Sequence, residues 1–438
     1  MKIRKYLLLS AFALLSMVAQ AQQSWSLQQC IDYAVDHNIS IQQQEQNVAL
    51  REVELNTSRN SRLPALSASA SQSFNFGRSI TADNTYDNRN TMSTSLGLNA
   101  SVPLFTGLQI PREIAVKKLD LQAALSDLSR AKESVSVQVT SAYMEALYQK
   151  KLVTIAENQL ALSQAQADRI EALVKVGKAA VADLAEARAA QSADELTLVQ
   201  NRNSCQLALL TLTQLLEMES PEGFDIAFTP DYDPRQVLLP SAEEIYAQAV
   251  MVKPQIQAEQ YRLEGAERNV LLAKSALMPK LSLGGGLSTN YYNSSGITAA
   301  PFGRQLKDNF NKYVGVQLSI PLFNRLATRN QIRQAKIQHS NQQLQLDQTR
   351  KDLYKEVQQA YYNAVAAQKQ CVSSAAAEES AKAAYELVEK KYENGKASST
   401  EYQEAKTRLT KSQYTLAQSQ CTFHFRKLLL EFYEKVMY

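Results

Sequence analysis

Val102-Pro103-Leu104-Phe105 returns as Ile320-Pro321-Leu322-Phe323, 218 residues further along the chain. The same offset joins Ala142-Tyr143 to Ala360-Tyr361 and Gly177-Lys178 to Gly395-Lys396. Three ungapped matches spread over 76 residues mark an internal duplication. Upstream, Leu63-Pro64-Ala65-Leu66-Ser67 pairs with Met278-Pro279-Lys280-Leu281-Ser282 at an offset of 215, loop length absorbing the difference. The join between the repeats is Ser220 to Pro240, whose four prolines (Pro221, Pro230, Pro234 and Pro240) suit a connector rather than a helix.

Outward from these landmarks, punctuation is scarce. Gly and Pro total 24 of 438 residues, about 5%, where roughly 12% is usual. None falls in 112–176, 178–220, 322–394 or 396–438. A compact α/β enzyme interrupts itself far more often, so that class is excluded. Net charge is only +4, and nothing suggests a nucleic-acid partner. Charged residues at 21% and apolar residues at 45% argue against bulk disorder.

Before each P-L-F element the apolar period is two. Val314, Val316, Leu318 and Ile320 alternate with Tyr313, Gly315, Gln317 and Ser319. Leu96, Leu98, Ala100, Val102 and Leu104 alternate with Ser95, Gly97, Asn99 and Ser101. Residues 66–76 repeat the pattern, broken at Gln72, and the Gly-rich 281–291 is a fourth, less regular strand. Each hairpin has one apolar and one small, polar face. That suits a surface hairpin on a soluble core, or a membrane barrel wall with its polar side toward a lumen. Strands of about 9–11 residues fit a tilted bilayer crossing. Phe105 and Phe323 at one end, with Tyr291, Tyr292 and Tyr313 at the other, predict two interfacial girdles. Four strands cannot close a barrel, and an open edge in lipid costs several kcal/mol per unsatisfied backbone group. Other copies of the chain must close it, and three copies give twelve strands.

After each P-L-F element runs an unbroken helical segment. Pro111 to Val176 is 66 residues, or roughly 100 Å. Its seam steps by three and four: Leu121, Leu125, Leu128, Lys132, Val135, Val139, Ala142, Ala146, Gln149, Val153, Ala156, Leu160, Ser163, Ala167, Ile170, Val174. That 3.5-residue period is the coiled-coil one. The chain returns after Gly177 with a second seam from Leu184 to Leu215, and the same hairpin recurs as 326–394 and 396–430, turning at Gly395. A soluble coiled-coil protein would explain these helices but not the amphipathic hairpins set between them.

The N-terminus carries Lys2, Arg4 and Lys5, an apolar run from Tyr6 to Ala19, and Ala19-Gln20-Ala21. Charge, length and cleavage pattern predict a signal peptide over 1–21, against the alternative of a buried N-terminal helix. No Cys follows the run directly, which argues against a lipoprotein anchor. No later stretch of about 18 apolar residues offers a transmembrane helix.

With these features in place, the chain resembles the TolC-like outer-membrane efflux proteins. Leu27, Cys30, Ile31, Ala34 and Asn38 form an L-x-x-C-I-x-x-A-x-x-x-N opening like that family's first helix. The paired P-L-F elements and both glycine hairpins follow in the family's order. The resemblance implies a homotrimer in the Gram-negative outer membrane: a 12-stranded β-barrel in lipid, continuing into a long periplasmic α-helical tunnel. It implies a passive duct exporting drugs or other toxic small molecules, with a periplasmic adaptor (a membrane fusion protein) and an inner-membrane pump of the RND type. The segments are then a signal peptide (1–21), N-terminal periplasmic helices (22–62), a first β-hairpin (63–106) and a first helical hairpin (107–217). After the connector (218–240) come leading helices (241–277), a second β-hairpin (278–324) and a second helical hairpin (325–438).

In the family, acids just past the hairpin glycines line the tunnel mouth. Here Asp183 and Glu186 lie six and nine residues after Gly177, and Glu401 and Glu404 six and nine after Gly395. A spacing of three places each pair on one helix face. Threefold symmetry would make each acid a ring favouring cations, while acids in a helix's first turns also suit its dipole. The family often has Asp where this chain has Glu401 and Glu404. Adaptor docking at the tips points to Gly177, Lys178, Gly395 and Lys396; the two lysines also read as solvated turn residues.

No motif for catalysis is present: no G-x-x-x-x-G-K-[ST], no H-E-x-x-H, no C-x-x-C. His37, His339 and His424 are scattered, so neither a metal nor a cofactor is expected. Of Cys30, Cys205, Cys371 and Cys421, the last two lie at one height on the second hairpin and form a candidate disulfide. Buried thiols are the default reading. Two rival functions stay open: a duct for type I protein secretion, and a secreted coiled-coil structural or adhesive protein.

Overall fold

The structure, a computed structural model, describes residues 24–80, 84–227, 234–296 and 298–435. The expected signal peptide lies outside the described residues. The element order is α1 (Leu27–His37), α2 (Ile39–Asn60), β1 (Ala65–Asn75), β2 (Arg78–Ile80), β3 (Tyr86–Asn88), β4 (Thr91–Phe105), α3 (Gln109–Lys175) and α4 (Val181–Leu215). It continues with α5 (Ala242–Val252), α6 (Pro254–Lys274), β5 (Lys280–Ser294), α7 (Phe302–Asp308), β6 (Asn311–Ser319), α8 (Ala327–Glu393) and α9 (Ser399–Glu434). Two units result. One takes the chain up to Gln46 with Ser126–Gln257 and the chain from Gln348; the other takes Asn47–Leu125 and Ala258–Asp347.

The first unit is helical. Ser26 starts α1 through a reciprocal box: its amide donates to Gln29 Oε1 at 2.9 Å and its hydroxyl accepts from the Gln29 amide at 3.3 Å. Ser241 and Glu244 start α5 in the same way. The seam of α3 widens in its middle to two columns: Val135 and Ser136, Val139 and Thr140, Tyr143 and Met144, Ala146 and Leu147 are all buried. A single 3.5-residue stripe serves one partner; here α3 also packs against the N-terminal helix and the connector. Buried hydroxyls on this seam are satisfied inside the helix, Thr140 donating to the Ser136 carbonyl and Ser136 to that of Lys132. Tyr143, fully buried, sets its hydroxyl 3.0 Å from the Trp25 carbonyl and 2.8 Å from that of Ala227. It thereby pins the bridge between Trp25 and Ile226 that ties the N-terminus to the connector. No disulfide forms among the described residues. Cys371 packs with Ala367 and Phe423, whereas Cys421 joins the cluster around Tyr143.

The second unit holds a four-stranded antiparallel sheet in the order β1-β4-β5-β6. Its register carries the alternation across all four strands. Ala68 faces Leu98, Leu98 faces Leu287, Leu283 faces Val316 and Leu281 faces Leu318, so one face is mostly apolar, interrupted by Gln72, Thr94, Thr289 and Lys312. Ser69, Gly97 and Ser288 mark the opposite, polar face. A bulge between Pro103 and Phe105 loosens the end of β4, where Pro has no amide to donate. Outer strands β1 and β6 each leave one edge unpaired.

The expected strands need four corrections. The Gly-rich strand is a full one, Lys280–Ser294. Val102–Phe105 lies within β4, but β6 ends at Ser319, so Ile320 to Phe323 lie beyond it. Tyr313 and Tyr292 are not girdle residues on the apolar side: their register places them opposite Gly286 and Ser93, on the polar face. The short helix α7 and the β2–β3 ribbon extend the two hairpins. Within the α3 seam, Leu125 is exposed.

Candidate functional site

The tips of the two helical hairpins are built by the same turn. Gly177 (φ +72°) and Gly395 (φ +67°) take the left-handed conformation that ends α3 and α8. The Gly177 amide donates to the Val174 carbonyl at 3.0 Å and the Lys178 amide to that of Leu173 at 2.8 Å. Gly395 donates to Tyr392 at 3.1 Å and Lys396 to Lys391 at 2.8 Å, so both tips are Schellman turns. Lys178 and Lys396 point into solvent.

The four candidate acids are not equivalent. Glu401 closes the start of α9: its carboxylate accepts from the Ser398 amide at 2.8 Å and the Ser398 hydroxyl at 3.1 Å. Those hydrogen bonds hold its carboxyl below the usual range. Asp183 performs half of this task for α4, accepting from the Ala180 amide at 3.1 Å, since Ala180 has no oxygen to reciprocate. Glu186 accepts a long hydrogen bond from Ser399 at 3.5 Å, across to the other hairpin. Glu404 is exposed and has no partner among the described residues.

Sequence reasoning missed how the two tips are fastened. Arg169 on α3 pairs with Glu393 on α8 at 3.4 Å, and Gln166 donates to the Tyr392 hydroxyl at 3.0 Å. The Tyr392 ring stacks on Tyr402 with centroids 4.8 Å apart. Tyr385 gives its only proton to Glu389 at 2.7 Å, so Tyr402 must donate to Tyr385 across their 3.0 Å contact. Burial, with the hydrogen bond it donates to Glu389, raises the Tyr385 pKa well above the usual phenol value. Further from the tips, nearly buried Lys406 pairs with Asp194 at 2.8 Å. The signal was Tyr385, Tyr392 and Tyr402 crowding one turn of sequence, but their contacts depend on the fold.

Among the described residues no group of three or more His, Cys, Asp or Glu side chains is placed to hold a metal. None of the described helices is long and apolar enough to cross a membrane. The lipid-compatible surface is the apolar face of the sheet. Val314, Val316, Leu318, Leu66 and Phe74 are all exposed on it, and water would forgo about 1.5–3 kcal/mol for each.

An amphipathic antiparallel sheet interleaved with two long helical hairpins defines an outer-membrane channel protein, not an enzyme fold. The outer membrane efflux protein family model matches residues 30–217 and 245–422, and the chain belongs to that family. It is an outer-membrane efflux duct. Over 343 residues it is 24% identical to the outer membrane efflux protein BepC of Brucella suis, spanning 78% of this chain and 70% of that one. It is 31% identical over 231 residues to the pyoverdine export outer membrane protein OpmQ of Pseudomonas putida, 48% of this chain and 47% of OpmQ. In fold it superposes on CusC with a TM-score of 0.75 at 18% identity, covering 93% of this chain and 91% of CusC. Members of this family work with a periplasmic adaptor and an inner-membrane pump.

Proposed function

We propose that three copies of the chain form one passive duct exporting small molecules, with Gly177, Lys178, Gly395 and Lys396 as the adaptor-docking tips and an RND-type pump behind the adaptor. One observation carries the reading: the sheet is amphipathic across its whole width yet has two unpaired edges. In lipid those edges require partners, and the even strand number lets β6 of one copy pair antiparallel with β1 of the next. A second surface favours the same closure. Leu196, Val199, Leu207 and Leu210 are exposed along one face of α4, repeating after eleven residues. Small side chains, among them Ser373, Ala377 and Ala384, line a groove along α8 and α9 that such a stripe could fill.

At the mouth, Glu404 is the acid best placed to form a ring that favours cations, with Glu186 beside it; Glu401 and Asp183 act first as helix caps. Small-molecule cargo is favoured over protein by the likeness to OpmQ, named for pyoverdine export. The test is a cysteine pair with one partner in β1 and one in β6, oxidised in intact membranes. A ladder ending at the trimer, together with single channels in a planar bilayer, is the expected result. A product that stays monomeric would refute closure by neighbours.

A further inference from the structure

The polar face of the sheet carries almost no charge. Its strand positions are Ser67, Ser69, Ser71, Ser73 and Asn75 on β1, and Ser93, Ser95, Gly97, Asn99 and Ser101 on β4. On β5 and β6 they include Ser282, Gly284, Gly286, Ser288 and Asn290, then Asn311, Tyr313, Gly315, Gln317 and Ser319. The single charge, Lys280, stands at the first position of β5 and donates to Gln109 at 3.1 Å. Glycines concentrate at the centre, and one large side chain is laid over them. Tyr313 faces Gly286, which in turn faces Asn99 on the next strand. The Tyr313 hydroxyl donates to Asn99 Oδ1 at 3.0 Å. A Cβ on Gly286 would meet the Tyr313 ring at 2.6 Å, so the ring is laid across that glycine toward Asn99. About half of Tyr313 stays accessible.

We propose that Tyr313, laid across Gly286 and tethered to Asn99, is a cargo-contact platform in the duct. It would take neutral solutes with a flat apolar face, either an aromatic ring or a pyranose. The inference rests on the reading of this face as the lumen. A flat ring among hydroxyls and amides offers stacking without charge discrimination. Its fixed orientation means little rotamer freedom is lost on contact. A protruding Tyr would narrow the passage; one laid across the sheet and tethered to Asn99 leaves it open and keeps its ring accessible. Three copies would set three such platforms at one height.

The experiment uses the full chain in planar bilayers and neutral probes, N-acetyl-tryptophanamide in one arm and maltotriose in the other. Both should interrupt the current if the shared flat-face chemistry decides; block by one alone identifies that cargo class. Tyr313→Ala should raise the half-blocking concentration about threefold to tenfold, with open conductance near wild type. Tyr313→Leu, which still covers Gly286 but has no planar face, should behave as Ala does and guards against a merely structural loss. Channels that no probe blocks, or that block equally with Tyr, Leu and Ala, would overturn the platform alone. Absence of channels from the wild-type chain would overturn the duct and the platform with it.

Discussion

Gly107→Ala tests the elbow where strand β4 hands over to helix α3. Gly107 has φ +63° and Leu108 φ +66°, two successive left-handed residues. The second repeat makes the same elbow with Arg325 at φ +54° and Leu326 at φ +64°. The repeats thus differ at one position, Gly against Arg, in identical geometry. At Gly107 a Cβ would sit 2.4 Å from Met278 Cβ and 2.9 Å from the Ser275 carbonyl oxygen. A left-handed Ala costs roughly 1–2 kcal/mol, and forcing a buried clash adds about 1–3 kcal/mol. Together these predict a loss of about 2–5 kcal/mol. For a compact unit of about 170 residues, that is roughly 4–20 °C in melting temperature. Arg325→Ala is the internal control: it keeps the left-handed backbone and trades one Cβ-bearing residue for another, so it should change stability by less than about 0.5 kcal/mol. The assay is thermal unfolding of detergent-solubilised protein followed by circular dichroism. Equal melting of Gly107→Ala and wild type, or an equal fall in both variants, would refute the argument.

Two further outcomes follow from the helical unit. Glu404→Gln should lower the cation preference of single channels, read as a reversal-potential shift in a salt gradient, more than Glu401→Gln does; the opposite order would show that the capping acid, not the unpaired one, faces the passage. Tyr143→Phe removes the hydroxyl between the Trp25 and Ala227 carbonyls and should destabilise by about 1–3 kcal/mol; unchanged denaturant midpoints would mean that the bridge at Ile226 holds without it.

Much of this architecture was legible because local chemistry decides it. Gly177 and Gly395 end helices by a backbone conformation that Gly adopts freely, so their spacing marked both tips. Period-two alternation named the faces of β4 and β6, including the polar side for Tyr313. What the sequence could not supply was register. Tyr313 was also assigned to an aromatic girdle because it sits near the start of its strand. Pairing with Gly286 and Asn99, far along the chain, puts it at the height of the middle of β4. The α3 seam shows the same limit. A heptad reading finds the column that faces one helix, and Tyr143 lies off it because its partners are the connector and the N-terminal segment. The four acids looked alike by spacing. Only the neighbours at Ala180 and Ser398, and the side-chain conformations, separate caps from exposed carboxylates.

The duplication sharpens that last distinction into an argument about division of labour. Both repeats keep the turn glycine, the lysine after it and the left-handed elbow, which are the features a strand-to-helix-to-tip path demands of any copy. They differ in single side chains, at a helix cap and where a residue meets a partner outside its own repeat. Ala180 lacks the oxygen that Ser398 supplies, so α9 begins with a complete capping box and α4 with half of one. Tyr143 is buried on the connector, whereas its counterpart Tyr361 is half-buried beside Tyr362. The better-capped tip also carries the Tyr385, Tyr392 and Tyr402 cluster. The two tips are thus held by different means: the second by its full capping box and tyrosine cluster, the first by the Arg188–Glu171 pair and the Ala167, Ile170 and Ala187 contact across its helices, while Arg169–Glu393, Gln166–Tyr392 and Ser399–Glu186 join one hairpin to the other.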